Sequence, residues 1–561
     1  MERQIHDEME ENNQGRYERI TQYLSSGMAH QGLVITAVLL YSGTLGASIG
    51  YSAILLPQLQ ANTSAIPTDE NTGSWIASLQ SGVSPVGTLF GGIIMDRWGR
   101  KSAMRAGVLP LFIGYLVLVF APSHLFVLIG RFITGVACGI SSAASSVILC
   151  EIATPQLRGV FASSIYSAFS GGILLVYSLG SYLHWRIVAA VLALLPLTSF
   201  LMFFFVPESP IWLAKNGCHE EAEIVLRWLR GNEKLAKLEL KELLSTIRAQ
   251  EEIEEESATF DEENGKNIKL KIIHQLRVLL SPSILKPFFI AHVICLFQIF
   301  SGTILIIFYA VDLISETNQN QESFSTYIIV QLTAVVRVVF VIITNSLFYF
   351  VHRRIHAIVS SSICAATAII FALFLYFQSQ QYLFLSSSAN MWISGLLILI
   401  FIAANTCSFL ALPATIMSEI LPIKIRGGAS GYIFAANDIT QFLVAKCYPW
   451  MKETLGPHGV FLWFGINCII FLVICYLFLP ETRGKTLAQI EEYFRGRNYL
   501  WVKRDRRLGR DYTRKRYYEM KKINTTSKVA TYSEPTQNTD DDDEDDDRPM
   551  RNKRKLSVTF S

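Results

Sequence analysis

Apolar runs long enough to cross a hydrocarbon core recur through most of the 561 residues. A helix needs roughly 20 apolar residues to span about 30 Å of lipid. Such runs lie near 33–57, 75–95, 103–121, 125–150, 160–180, 186–206, 286–311, 325–350, 355–377, 389–417, 429–450 and 458–479. The pattern predicts an all-α membrane protein with twelve transmembrane helices, six on each side of a long polar segment. Within that segment Glu and Lys recur at helical spacing, from Glu220 and Glu223 to Glu251 and Glu256, which reads as short amphipathic helices lying outside the bilayer. The chain therefore divides into an N-terminal segment 1–31, a six-helix bundle 32–206, a helical linker 207–285, a second six-helix bundle 286–480 and a tail 481–561.

Composition agrees. Charged residues make up 17% and hydrophobic ones 51%, with a net charge of +3, whereas water-soluble domains carry about a quarter charged residues. The first thirty residues are polar and mixed in charge, with no apolar stretch of the cleavable-signal kind, so the first span is expected to act as its own insertion signal. An even number of spans puts both termini on one side, and basic residues mark that side as cytoplasmic. Arg97, Arg100, Lys101, Arg105, Arg158, Arg353, Arg354, Lys424 and Arg426 fall in loops on the terminal side, while 58–74 has no Lys or Arg and 378–388 no charge at all. Eight of the nine cysteines lie in spans and Cys218 in the linker, leaving no pair for an outer disulfide. Asn62-Thr63-Ser64 is a glycosylation sequon in the first outer loop, whereas Asn524-Thr525-Thr526 is on the wrong side. The tail is basic and aromatic from Arg495 to Lys522, then acidic from Asp540 to Asp547. The basic stretch offers a seat for anionic lipid heads; its plainer reading is a solvated extension, and the acidic run reads as disordered.

Motifs repeat between the halves. Gly91-Gly92-Ile93-Ile94-Met95-Asp96-Arg97-Trp98-Gly99-Arg100-Lys101 joins the second and third spans. Glu151-x6-Arg158-Gly159 closes the fourth span and Glu419-x6-Arg426-Gly427 the tenth, while Pro207-Glu208-Ser209-Pro210 and Pro480-Glu481-Thr482-Arg483-Gly484-Lys485 close the sixth and twelfth. Such spacing is the signature of an internal repeat. Together with Gly130-Arg131, these motifs resemble the sugar porter family of the major facilitator superfamily over roughly residues 30–495. The resemblance implies two six-helix bundles in the major facilitator fold, a substrate site between them, and alternating access by rocking.

Glu151, Glu208, Glu419 and Glu481 are expected to meet Arg97, Arg100, Arg158 and Arg426, with Asp96 beside them, in a gating latch on the cytoplasmic side. The plainer alternative is that these charges anchor helix ends. The second half keeps only His352-Arg353-Arg354 of the basic loop, without an Asp or Gly, so an asymmetric latch is expected.

In the seventh span the resemblance implies two adjacent glutamines and a later Asn that bond sugar hydroxyls. Here only Gln298 remains, with Ile299 and Ile304 at the other positions. Tyr166 stands where the fifth span of the family has Gln, Ala414 replaces a Trp, and Arg337 an Asn. Asn437 is retained, followed by Asp438 in place of Trp. The substrate-binding set read from the chain is thus Gln298, Asn437, Tyr166, Arg337 and Asp438. Arg337 and Asp438 lie near mid-span, where an unpaired charge costs several kcal/mol. Three readings stand for them: an ion pair between the eighth and eleventh helices, a clamp on a charged or larger polar ligand, and proton carriage by Asp438.

Proton-linked members carry Asp in the first span, whereas this chain has Ile49-Gly50-Tyr51-Ser52, which favours facilitated diffusion. Ser48-Ile49-Gly50 through Pro57-Gln58-Leu59 is similar to the insect trehalose and hexose carriers. The expected function is facilitative transport of a hexose or trehalose-like sugar across the plasma membrane by a monomeric transport unit, with no cofactor, metal or nucleic-acid partner. Its rivals are a carrier of another polar or anionic solute and a non-transporting sugar sensor. No Walker A loop or His-Glu-x-x-His stands in the chain, and no enzyme is expected.

Overall fold

Each predicted span coincides with helix over most of its length in the computed structural model. The structure describes residues 2–61, 66–152, 158–245, 247–248, 281–317, 323–380, 387–422, 425–483, 489–490 and 493–494. All of these belong to one compact unit, Met1–Val502, and no strand occurs among them. The sequon at Asn62 and the tail from residue 495 lie outside the described residues.

The first half contains α1 (Glu2–Gln60), α2 (Glu70–Trp98), α3 (Arg100–Val119), α4 (His124–Ile152), α5 (Arg158–Gly180) and α6 (Trp185–Met202). The linker supplies α7 (Pro210–Lys215), α8 (His219–Arg230) and α9 over 233–245. The second half holds α10 (Pro282–Phe300), α11 (Thr303–Phe308), α12 (Ala310–Thr317), α13 (Ser323–Phe350), α14 (Arg353–Ser379), α15 (Ser387–Asn405), a π turn (Thr406–Leu410), α16 (Leu412–Ile420) and α17 (Arg426–Phe478). Among the described residues nine helical runs are long and apolar enough to cross a membrane. The last, Gly428–Phe478, bends at Gly456 (φ 65°) and so serves the last two predicted spans. Two further spans fall on α2 and α5, 29 and 23 residues long, whose glycines and serines lower their hydropathy. Large apolar side chains such as Leu89, Phe90, Phe120 and Trp392 are exposed around the periphery, as a lipid-facing surface requires.

Helices of the first half touch backbone to backbone. A Cβ on Gly172 of α5 would stand 1.8 Å from the Gly43 carbonyl of α1, and one on Gly46 would stand 1.9 Å from that of Phe169. Across α2 and α4, Gly87 and Gly139 allow the same approach, 2.1 Å from Val136 O and 2.0 Å from Ser84 O. Small residues serve membrane bundles this way because lipid supplies no hydrophobic drive to join helices. The second half packs instead through rings: Phe371 on Phe461 (centroids 4.5 Å apart), Phe409 on Phe471 (4.6 Å) and Phe401 on Phe464 (6.3 Å).

Two spans read as continuous in the sequence are broken. The seventh stops at Ser301, where Gly302 takes φ 86° with Phe464 so close that a Cβ would clash, and resumes as α11 and α12. The tenth passes through the π turn directly after Asn405. One interaction explains both: Asn405 Nδ2 donates to Ser301 O (3.2 Å), and Thr303 Oγ1 donates to Asn405 Oδ1 (2.7 Å). The side chain thereby meets a backbone carbonyl at the break.

The linker docks on the first half. The His30 ring stacks on Trp228 (4.2 Å), Gln31 Nε2 donates to Leu229 O (2.9 Å), and Arg230 donates to Ile152 O (2.9 Å) while pairing with Glu239 (2.7 Å). Leu213, Ala222, Leu226, Ala236 and Leu240 form its own small core.

Candidate functional site

At the end of the bundle that carries Arg97–Lys101, which we call the basic end, each half builds one ionic cluster. Arg100 binds Glu151 through Nε (3.2 and 3.1 Å) and Nη2 (3.0 Å), and both side chains are nearly buried. Glu208 accepts the backbone N–H groups of Arg100 (2.8 Å), Lys101 (3.0 Å) and Ser209 (2.9 Å), and the Ser209 hydroxyl donates to Glu151. Gly99 makes the room. Its φ is 96°, and a Cβ there would lie 2.3 Å from Glu208 Oε2. In the second half Arg353 pairs with Glu419 (3.4 Å), Glu481 accepts the N–H groups of Arg353 (3.1 Å), Arg354 (3.2 Å) and Arg483 (3.0 Å), and Thr482 Oγ1 donates to Glu419 (2.5 Å).

These clusters correct the expected latch in two respects. Arg97 is exposed and makes no ion pair among the described residues; its place is taken by Arg353, which sequence reading had set aside as a remnant. The Arg100–Glu151 and Arg353–Glu419 pairs also each lie within one half. The clusters bind the ends of neighbouring helices, α2, α3 and α4 of one half with the linker's α7, and α13, α14 and α16 of the other. Asp96 is the exposed outlier, 4.0 Å from Arg100. The side chains of Arg158 and Arg426 fall outside the described residues.

At mid-membrane the predicted substrate residues come from different helices. Tyr166 of α5 lies beside Cys295 of α10. Asn437 of α17 reaches the same sulfur, leaving its Oδ1 buried without a partner. Gln298, one turn along α10, is half-buried with its side chain unpartnered among the described residues. Three helices from both halves thus converge here with spare hydrogen-bonding capacity. Asp438 instead accepts a hydrogen bond from Ser84 of α2 at 2.6 Å. Arg337 is 3% exposed, makes no ion pair, and has Nη1 without a partner. The ion pair between them is therefore not formed: each faces a different helix of the opposite half, Asp438 facing α2 and Arg337 lying near Tyr177 of α5. Among the described residues no group of three or more His, Cys, Asp or Glu could hold a metal.

The model of the family described as "Sugar (and other) transporter" matches residues 19–494. The chain belongs to this family. It is 30% identical over 468 residues to a facilitated trehalose transporter Tret1-2 homolog of Drosophila sechellia, covering 83% of this chain and 91% of that one. A facilitated trehalose transporter Tret1 of Apis mellifera ligustica is also 30% identical, over 83% and 88% of the two chains. In structure the chain is similar to the proton:xylose symporter XylE of E. coli bound to 6-bromo-6-deoxy-D-glucose, with a TM-score of 0.66 and 19% identity over 83% of this chain and 100% of that one.

In this chain Arg131 is fully buried, yet each of its three side-chain nitrogens finds a partner in its own half. Nε donates to Ile76 O and Nη1 to Ser48 O, both at 3.0 Å, and Nη2 donates to the Ser52 hydroxyl. The halves meet along two polar seams that sequence reading missed. Gln441 donates to Ser81 (2.8 Å) and Lys446 to Ser74 (2.7 Å) between α17 and α2. Along α5 and the turn after it, Gln331 of α13 donates to Ser181 (2.9 Å) and Asn345 of α13 to Ser167 (3.1 Å), while Tyr177 donates to Ile307 O of α11 (2.8 Å). Amides inside apolar spans were the available signal. At the far end Asp69 caps α2, and the Thr72 bond holds its carboxyl below the usual range. A cleft there with about 460 Å³ of empty volume is lined by residues including Gln60, Glu70, Tyr309, Tyr448 and the Asp312–Lys452 ion pair (3.2 Å).

Proposed function

We propose that this transporter moves a sugar of the hexose or trehalose class down its gradient across the plasma membrane, with no proton coupling. The observation that carries the second part is the bonding of Arg131. A proton-coupled carrier needs a carboxylate that titrates against the buried cation, and here a hydroxyl and two carbonyls do that work. Gln298, Tyr166 and Asn437 bond the substrate hydroxyls, since leaving such groups unpaired in a buried site is costly. The trehalose class rests on what the two insect relatives are named for.

Both termini and the basic end face the cytoplasm, placing Asn62 where glycosylation reaches it. The two ionic clusters stiffen each half so that the halves rock as units. The bundles span 32–206 and 286–480, the linker 207–285, and one chain is the transport unit.

The test is uptake of radiolabelled glucose and trehalose by purified protein in liposomes, with and without an imposed pH gradient. Entry to equilibrium that ignores the gradient is expected; accumulation driven by it would overturn the uncoupled mechanism. A folded protein that binds either sugar without moving it would be a sensor.

A further inference from the structure

Four arginines of the described residues are buried, and the fold satisfies three. Arg100 has Glu151, Arg230 has Glu239 and Ile152 O, and Arg131 has two carbonyls and a hydroxyl. Arg337 has neither ion pair nor hydrogen bond to a described residue, and its Nη1 is buried. It stands on an otherwise apolar or hydroxyl-bearing stripe of α13, with Val330, Ala334, Val341 and Thr344 all buried beside it. A guanidinium carries five N–H donors and stays charged. Removed from water without a partner, it costs several kcal/mol. Asp438, the acid that the sequence offers as its partner, is engaged by Ser84 on the other seam.

A cost of that size, borne between the two halves of a transporter, calls for a counter-charge that arrives with the cargo. We propose that Arg337 is an anion-recognition residue, and that the sugars carried include ones bearing an oxyanion, a carboxylate or a phosphate ester. The planar fork of the guanidinium suits either group through two parallel N–H···O bonds. Arg337 lies at the α5–α13 seam, near Tyr177, whose hydroxyl bonds α11. An anion reaching this seam bridges both halves. The assignment rests on the transport reading above, because cargo passes Arg337 only if the seam between the halves is the path.

The experiment is uptake by the full chain in liposomes of glucose, glucuronate and glucose 6-phosphate, labelled separately, with each anion also tested as a competitor of glucose. Wild-type protein is expected to take up at least one anion, the two arms telling carboxylate from phosphate. In Arg337→Gln the ratio of anion to glucose uptake is expected to fall at least tenfold, and in Arg337→Lys by less. As a second readout, the recognised anion raises the melting temperature of detergent-solubilised wild type and not that of Arg337→Gln. Glucose entry that neither anion shares or slows overturns the anion assignment and leaves sugar transport standing, and it does so on wild-type protein alone should the variants fail to fold. Absence of uptake of all three by protein that still melts cooperatively defeats both readings.

Discussion

Replacing Glu151 with Gln removes one charge from the cluster at the basic end while keeping its shape. Both members of the Arg100–Glu151 pair are nearly buried, at 10% and 12% side-chain exposure, and three N–H···O contacts of 3.0 to 3.2 Å join them. Breaking such a pair from one side leaves an uncompensated charge and costs about 3–5 kcal/mol. In the second half Arg353 and Glu419 are more exposed, at 14% and 27%, and 3.4 Å apart, so Glu419→Gln is expected to cost less, about 1–2 kcal/mol. Glu223 in the linker faces an Arg227 that is 50% exposed, and pairs of that kind are worth about 0–1 kcal/mol. At about 1 °C per kcal/mol for a unit that runs from Met1 to Val502, melting of detergent-solubilised protein should fall by about 3–5 °C, about 1–2 °C and under about 1 °C respectively. The double variant Glu151→Gln/Glu419→Gln decides between two clamps and one latch, since sites without shared partners add to within about 0.5 kcal/mol. A single-variant order in which Glu223 matches Glu151 would refute the burial argument. A coupling above about 1 kcal/mol would join the clusters into one bolt across the halves.

Three further outcomes are expected. Gly172→Ala puts a Cβ 1.8 Å from Gly43 O and should lose folded protein in gel filtration, whereas Gly171→Ala, with nothing within 4 Å, should not; equal yields would disprove the close α1–α5 contact. Tyr177→Phe deletes a bond between the halves worth about 1 kcal/mol, so cysteine-accessibility labelling should report an inward/outward ratio shifted about fivefold, and an unchanged ratio would show the bond survives rocking. His184 caps α6 by accepting the Arg186 N–H, and burial, then Arg186, hold its imidazole below the ordinary range. Its contribution is therefore full above the unfolded pKa of about 6.5 and is lost as pH falls through the lower folded value. The melting temperature of His184→Asn should decline less between about pH 7 and 5 than that of wild type, and identical slopes would contradict this.

The helices and the four motif glutamates were legible because hydropathy and repeated spacing are written locally along the chain. Arg353 was not, because its loop needs no glycine: His352 has φ −63°, so the family pattern is absent although the ion pair is present. The break of the seventh span at Gly302 was not read from the chain, and neither was the π turn of the tenth, which follows from Asn405 reaching Ser301, a contact between residues about a hundred positions apart. The fate of Asp438 was equally non-local. Depth in the membrane suggested Arg337 as its partner, and proximity of α17 to α2 gave it Ser84 instead.

The two kinds of packing divide the mechanical labour. Where Gly172 and Gly43 or Gly139 and Ser84 meet, main chain rests on main chain, and sliding by an ångström forces atoms into overlap. Phenylalanine rings such as Phe401 on Phe464 have no such stops: they trade one tilt for another at little cost. The first half therefore behaves as a chassis. The second rocks with it as a unit, and its three interruptions at Ser301–Gly302, Tyr309 and Thr406–Leu410 are the places where its helices are expected to bend. Substitutions that stiffen the ring layers should slow turnover without loosening the frame.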